Sequence, residues 1–161
     1  MADYMAAHIK IGGKLQRSKL QEFLNLIQDL SAEDYWSSPA NQEYLQECLG
    51  DKKPMVLYDD QARYGEFEEL ESFCMENHLT FKRTSSPKYE YDGQIRYFSP
   101  DAGDQYIGAT DDGEAYLRLS ELKDDQDKGL TLQQVIEKVE EYDGKVPVFE
   151  LIQNPKAGRT N

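Results

Sequence analysis

The chain has little of what export, metal binding or membrane insertion requires. Among its 161 residues there are only two cysteines and two histidines. Cys48 and Cys74 are too few for a disulfide framework and are not in C-x-x-C spacing, so a reducing cytoplasm is the expected compartment. The cysteines and histidines together lack the ligand spacing of a zinc site, and neither a metal nor a cofactor is expected. Long apolar runs are missing too: "MVLY" and "VPVF" fall far short of the about 20 residues a membrane helix needs. The opening "MADYMAAHIKIGG" carries Asp3 and no uninterrupted apolar region, so it is not read as a secretory leader. Neither a G-x-x-x-x-G-K-[ST] loop nor a G-x-G-x-x-G fingerprint occurs, and no internal repeat or low-complexity tract is present.

What is abundant is negative charge. The formal net charge is −13. Residues 32–151 carry −16, whereas the first 31 residues carry +1 and the last ten +2. A field of this sign repels nucleic acid and anionic membranes and attracts basic protein surfaces. Hydrophobic residues at 39% and aromatics at 11% are enough for a packed core despite 30% charged residues, which argues against global disorder. The length fits one domain, read as residues 1–152, with 153–161 as a flexible tail. The sequence leaves the oligomeric state open.

Pattern and punctuation predict an α+β fold: a mixed, mostly antiparallel sheet with three to four amphipathic helices in a single layer on one face. "AHIKI" (7–11) alternates as a first strand closed by Gly12-Gly13. Ser18 then opens a helix carrying Leu20, Phe23, Leu24, Ile27 and Leu30 at helical spacing. Ser38 and Pro39 start a second helix, through Tyr44, Leu45, Cys48 and Leu49 to Gly50. A strand follows over 54–60, then a helix over 65–78 that buries Phe67, Leu70, Phe73 and Cys74 and ends near Asn77. "LTFKR" begins another strand.

The stretch "KYEYDGQIRYFSPD" (88–101) places Tyr89, Tyr91, Ile95 and Tyr97 at odd positions. A two-residue turn at Asp92-Gly93 would oppose apolar to polar faces, so a bulged strand or an odd-length loop is expected, with most rings facing the core. Residues 105–119 read as a hairpin with a type I′ turn at Asp112-Gly113, pairing Tyr106 with Leu119 and Gly108 with Leu117. Residues 121–129 read as a charged loop. Thr131 and Gln134 form a capping box for a last helix with Leu132, Val135, Ile136 and Val139 as its stripe, ending at Gly144, before a final strand over 146–152.

Several constellations touch on chemistry. Cys74 and His78, four apart, share a helix face at the spacing of a thiol–imidazole pair, with Asp59 or Asp60 as an orienting carboxylate. A buried small hydrophobe and a helix-end histidine account for the same pair, and no catalytic residue is assigned. "DDQDKG" (124–129) fails as a calcium loop because Gln126 and Lys128 occupy liganding positions. The best small-ligand alternative is phosphate or nucleotide binding at Gly12, Gly13, Lys14, Arg17 and Ser18, where two glycines precede a capped helix amid basic residues.

The acidic residues carry the main expectation. Glu66, Glu68, Glu69 and Glu71, then Asp101, Asp104, Asp111, Asp112 and Glu114, then Glu121, Asp124, Asp125 and Asp127, gather at helix starts and turns, where exposure is the rule. Joined by the rings of Tyr35, Trp36 and Tyr64, they suit a non-enzymatic protein that engages a basic, nucleic-acid-binding partner by electrostatic and steric blocking. A nucleic-acid-mimicking inhibitor is its sharpest form, with no direct binding of nucleic acid. A solubilising surface is the plain alternative for any one cluster.

Overall fold

A computed structural model describes residues 3–32, 39–88, 90–143 and 145–153. Its strands are β1 (Tyr4–Gln16), β2 (Ser31–Ala32), β3 (Met55–Arg63), β4 (Thr80–Ser85), β5 (Gly93–Ser99), β6 (Gly103–Ala109), β7 (Ala115–Tyr116) and β8 (Phe149–Ile152). The helices are α1 (Leu20–Ile27), α2 (Gln42–Asp51), α3 (Glu68–Glu76), α4 (Leu119–Asp127) and α5 (Leu132–Glu140). The strands form one sheet in the order β2-β3-β1-β4-β5-β6-β7, antiparallel throughout, while β8 pairs with β1 in parallel. This is the expected α+β architecture. Among the described residues no helix is long and apolar enough to cross a membrane.

Alternation along β1 decides which way the sheet faces. Ile9 and Ile11 stand beside Leu57 and Met55 on β3 and, for Ile11, Phe81 on β4. All are fully buried in the main core with Phe23 and Ile27 of α1, Tyr44, Leu45 and Cys48 of α2, and Leu70, Phe73 and Cys74 of α3. Three helices therefore cover one face of the sheet. Burying a side chain of this size is worth about 1.5–3 kcal/mol, so this face dominates stability. On the other face, at the β5–β6 end, Ile95, Tyr97, Ile107 and Ala109 make a smaller cluster with Tyr142, joined by Val139 of α5.

β1 runs straight through the two glycines that were expected to close it. An added Cβ on Gly12 would lie 1.7 Å from the Pro147 carbonyl oxygen, so only glycine admits that close approach. The Gly13 N–H donates to the Val148 carbonyl at 2.9 Å, and Gly13 then pairs with Phe149 of β8. The glycines switch partner strands rather than turn the chain. Arg17–Lys19 form a short 3-10 turn before α1, and Ser18 makes no side-chain cap to that helix. α2 is capped by Asn41, whose side chain accepts from the Tyr44 N–H at 3.1 Å; Ser38 lies outside the described residues.

Four further elements differ from expectation. The β6–β7 hairpin closes with a three-residue loop: the Thr110 N–H donates to Glu114 O, and the Gly113 N–H to Thr110 O, both at 2.9 Å. With Gly113 left-handed at φ 82°, Gly108 pairs with Tyr116 instead of Leu117, a slip of one position that reverses every side chain of the arm. Residues read as a charged loop are the helix α4, whose first turn is closed by Glu121 Oε1 accepting from the Arg118 N–H at 3.1 Å. The stripe of α5 is only partly covered: Val139 packs inward, while Leu132 is 75% and Ile136 43% exposed. In the aromatic ribbon the strand begins only at Gly93, with Ile95 and Tyr97 in the core and Tyr91 exposed; Tyr89 lies outside the described residues.

Candidate functional site

Glu66, Glu68 and Glu69 stand at the start of α3, where its positive dipole end favours carboxylates. Phe67 and Leu70 are buried beneath them, so the acidic side chains are turned outward on a fixed helix. Opposite runs α1. Between the two helices lies a groove of about 730 Å³, floored by Leu26, Phe67 and Leu70 and lined by Asp59, Glu66, Glu68 and Glu69, with Arg63 as its cation. A second hollow of about 430 Å³ shares Leu26, Glu68 and Glu69 with it and adds Glu22 and Glu76. Concave, low-dielectric walls concentrate the field of such a carboxylate row.

Tyr64 stands at one end of the groove. The Glu66 N–H donates to Arg63 O at 3.1 Å, and Tyr64 and Gly65 both have left-handed backbones, φ 55° and 68°, the geometry of a type I′ turn. A left-handed backbone costs a side-chain-bearing residue about 1–2 kcal/mol. Lys52 and His78, also left-handed, sit just past α2 and α3, where that conformation commonly ends a helix. Tyr64 ends no helix. Its N–H donates to Asp3 O at 2.7 Å, and its ring, 41% exposed, lies 5.7 Å from the Arg63 guanidinium and 6.3 Å from the Tyr91 ring.

α3 is tied to the sheet by a polar network that no sequence pattern signals. Glu71 reads as one more glutamate of an acidic turn, yet it is 1% exposed. Its carboxylate accepts from the Phe67 N–H at 2.6 Å, from Arg83 Nε at 3.3 Å and from Arg96 Nη1 at 2.9 Å. Arg96 also grips Asp104 with two hydrogen bonds of 2.8 and 2.7 Å and lies between the rings of Phe81 and Tyr106. Asp104 is therefore already neutralised by a neighbour. Asp125 is a firmer correction: it is 2% exposed and accepts two 2.9 Å bonds from Lys138, so it cannot present charge to a partner.

The remaining acidic residues are exposed but apart. Asp101 lies in the β5–β6 turn, and Asp111, Asp112 and Glu114 in or beside the β6–β7 loop. The length of β6 separates these turns, about 20 Å at strand rise. Asp124 is on α4. They form patches at different corners rather than one band. Tyr35 and Trp36 lie outside the described residues.

The phosphate reading loses its geometry. Gly12 and Gly13 are inside β1 with the Gly13 N–H spent on Val148, and Lys14 stands beside Glu150 of β8. Lys10 sits on the open sheet face while Asp59 borders the groove on the helix face, so the basic residues and Asp59 do not converge. Cys74 is fully buried, and burial, with the nearby Glu71 charge, pushes its thiol well above the ordinary range; a thiol held protonated is a poor nucleophile. His78 is exposed beyond the helix end. Among the described residues no group of His, Cys, Asp and Glu is arranged to hold a metal ion. No family model, curated protein or solved structure matches this chain.

Proposed function

We propose that the protein is a non-enzymatic binder that seats a basic segment of another protein in the groove between α1 and α3. The observation that carries this reading is the meeting, on one rigid helix start, of the outward carboxylates of Glu66, Glu68 and Glu69 with the exposed ring of Tyr64 in a costly backbone conformation. Strain of that kind is kept where function requires it, and an aromatic anchor among charges is ordinary interface chemistry. Binding acts by blocking: the partner's basic surface, which on a nucleic-acid-binding protein would contact phosphates, is occupied by carboxylates. The separation of the other acidic patches favours recognition of one segment over imitation of a long duplex.

The test is capture from nuclease-treated lysate on immobilised protein, across a salt series, with two variants in parallel. Glu66→Lys/Glu68→Lys/Glu69→Lys abolishes retention of the basic partner, while Asp111→Lys/Asp112→Lys on the distant loop leaves it intact. Equal retention by the triple variant would remove the groove from the account.

A further inference from the structure

Beyond Tyr64 the groove leads to a second cavity. The Tyr91 ring, 6.3 Å from that of Tyr64, is also a wall of a cleft of about 580 Å³ on the same face of the sheet. Tyr106 and Tyr116 form its other aromatic walls, with Gly108 in its floor. Its size is within the range of sites that enclose a small ligand or one large side chain.

Each ring is held in place. Tyr106 has Arg96 5.1 Å from its centroid, against the buried Glu71 network, and is 49% exposed on its free side. Tyr116 lies against its cross-strand neighbour Gly108, where an added Cβ would come within 2.7 Å of the ring. Tyr91 is fixed at its backbone by two 2.9 Å hydrogen bonds with Lys88; desolvation, then the charges of Asp3 and Glu90, raise its phenol above the ordinary value. The three rings line one open cleft, whose volume leaves room for a guest between them.

The charge of the cleft selects the guest. Glu90, Asp92 and Glu121 line it together with Arg118, which is ion-paired to Asp92, so carboxylates outnumber cations among its described lining residues. Rings with negative faces beside surplus carboxylates attract a cation and repel a phosphate or carboxylate. A guanidinium suits both elements, since it stacks flat on a tyrosine and donates in a fork to a carboxylate, whereas an ammonium is a strongly hydrated point charge. The molecule already makes this pairing in Arg96 with Tyr106 and Asp104, and its ring half in Arg63 over Tyr64.

We infer that the cleft between Tyr91, Tyr106 and Tyr116 is a specificity pocket for one arginine side chain of the basic partner. The inference rests on the proposed groove binding and adds to it: the groove supplies charge attraction, and the cleft decides arginine over lysine.

The experiment titrates the full chain with two dodecapeptides of equal charge, one carrying spaced arginines and the other spaced lysines. Calorimetry gives the affinities, and tyrosine-ring NMR signals give the location. The arginine peptide binds about ten-fold more tightly and moves the ring signals of Tyr91, Tyr106 and Tyr116. Tyr91→Leu removes that preference. So does Gly108→Ala, which keeps all three rings but displaces Tyr116; unchanged melting temperatures confirm that both variants fold. Equal affinities, or tyrosine-ring shifts confined to Tyr64 at the groove, would overturn the arginine pocket and leave the groove standing. Binding of neither peptide at low salt would overturn both.

Discussion

Glu71 offers the sharpest quantitative handle on why the acidic helix stays where it is. Glu71→Gln keeps the shape of the side chain and removes its charge. Arg83, whose side chain is 1% exposed, then loses its carboxylate, while Arg96, at 16%, keeps Asp104. Arg83 has nothing in reserve, because its Nη2 is buried without a hydrogen-bond partner and Nη1 is committed to Gln94 at 3.0 Å. Removing one member of a buried ion pair costs about 3–5 kcal/mol, mostly through the stranded charge. Against a total of about 5–15 kcal/mol, that is a large fraction of the stability. For a chain of this length each kcal/mol moves the melting temperature by about 2–4 °C, so the variant melts about 6–20 °C lower. Urea unfolding followed by circular dichroism measures the loss directly. The triple variant Glu71→Leu/Arg83→Met/Arg96→Met, which strands no buried charge but leaves the Phe67 N–H without its acceptor, recovers part of it. A loss below about 1 kcal/mol for Glu71→Gln would refute the reasoning, because it would mean that water reaches the arginines and that the network does not anchor α3.

Other consequences follow from single positions. Tyr64→Asn relieves the left-handed backbone but gives up the ring contacts to Tyr91 and Arg63, so stability changes by less than about 1 kcal/mol, while partner retention falls; a variant that binds as well as the parent would dismiss the strained tyrosine as an anchor. Gly12→Ala drives a Cβ against the Pro147 carbonyl and costs about 1–3 kcal/mol in urea unfolding, whereas Gly50→Ala, with open space around it on α2, gains about 0.5–1 kcal/mol. Cys74 gives a pH signature. Its thiol is held protonated in the folded protein and ionises once unfolded, so its contribution is intact below about pH 8.5 and is lost as the pH rises beyond that; Cys74→Ala flattens that decline, and a slope identical to the parent's would exclude the thiol as its source.

How much of this is legible in the sequence depends on how local the determining contact is. The α3 segment is readable because its stripe of Phe67, Leu70, Phe73 and Cys74 and its acidic first turn lie within one stretch, and the same contiguity brings Glu66, Glu68 and Glu69 together in the groove. β1 shows itself by its alternation but reads too short, because a Gly-Gly pair looks the same whether it turns the chain or admits a crossing carbonyl. The β6–β7 hairpin reads with its register off by one, since Asp-Gly serves a two-residue turn and a three-residue loop equally well. α4 is hidden because it has no buried apolar stripe: Leu119 and Leu122 are 67% and 41% exposed, and its buried side chain is Asp125, made tolerable by Lys138 on the next helix. The Glu71 network and the tyrosine cleft are invisible for a related reason. Their members come from separate elements, and only the sheet order brings Arg83, Arg96 and Tyr106 to the same place.

The central claim is that the groove between α1 and α3 receives a basic segment, and amide hydrogen exchange of the protein with and without its captured partner tests it most directly. Exchange slows along the facing parts of α1 and α3, around Leu26 and Glu66–Leu70, and this protection disappears at high salt, with the β6–β7 loop and the open sheet face around Lys10 unchanged. Protection centred on that loop or that face, with α1 and α3 exchanging as in the free protein, would contradict it.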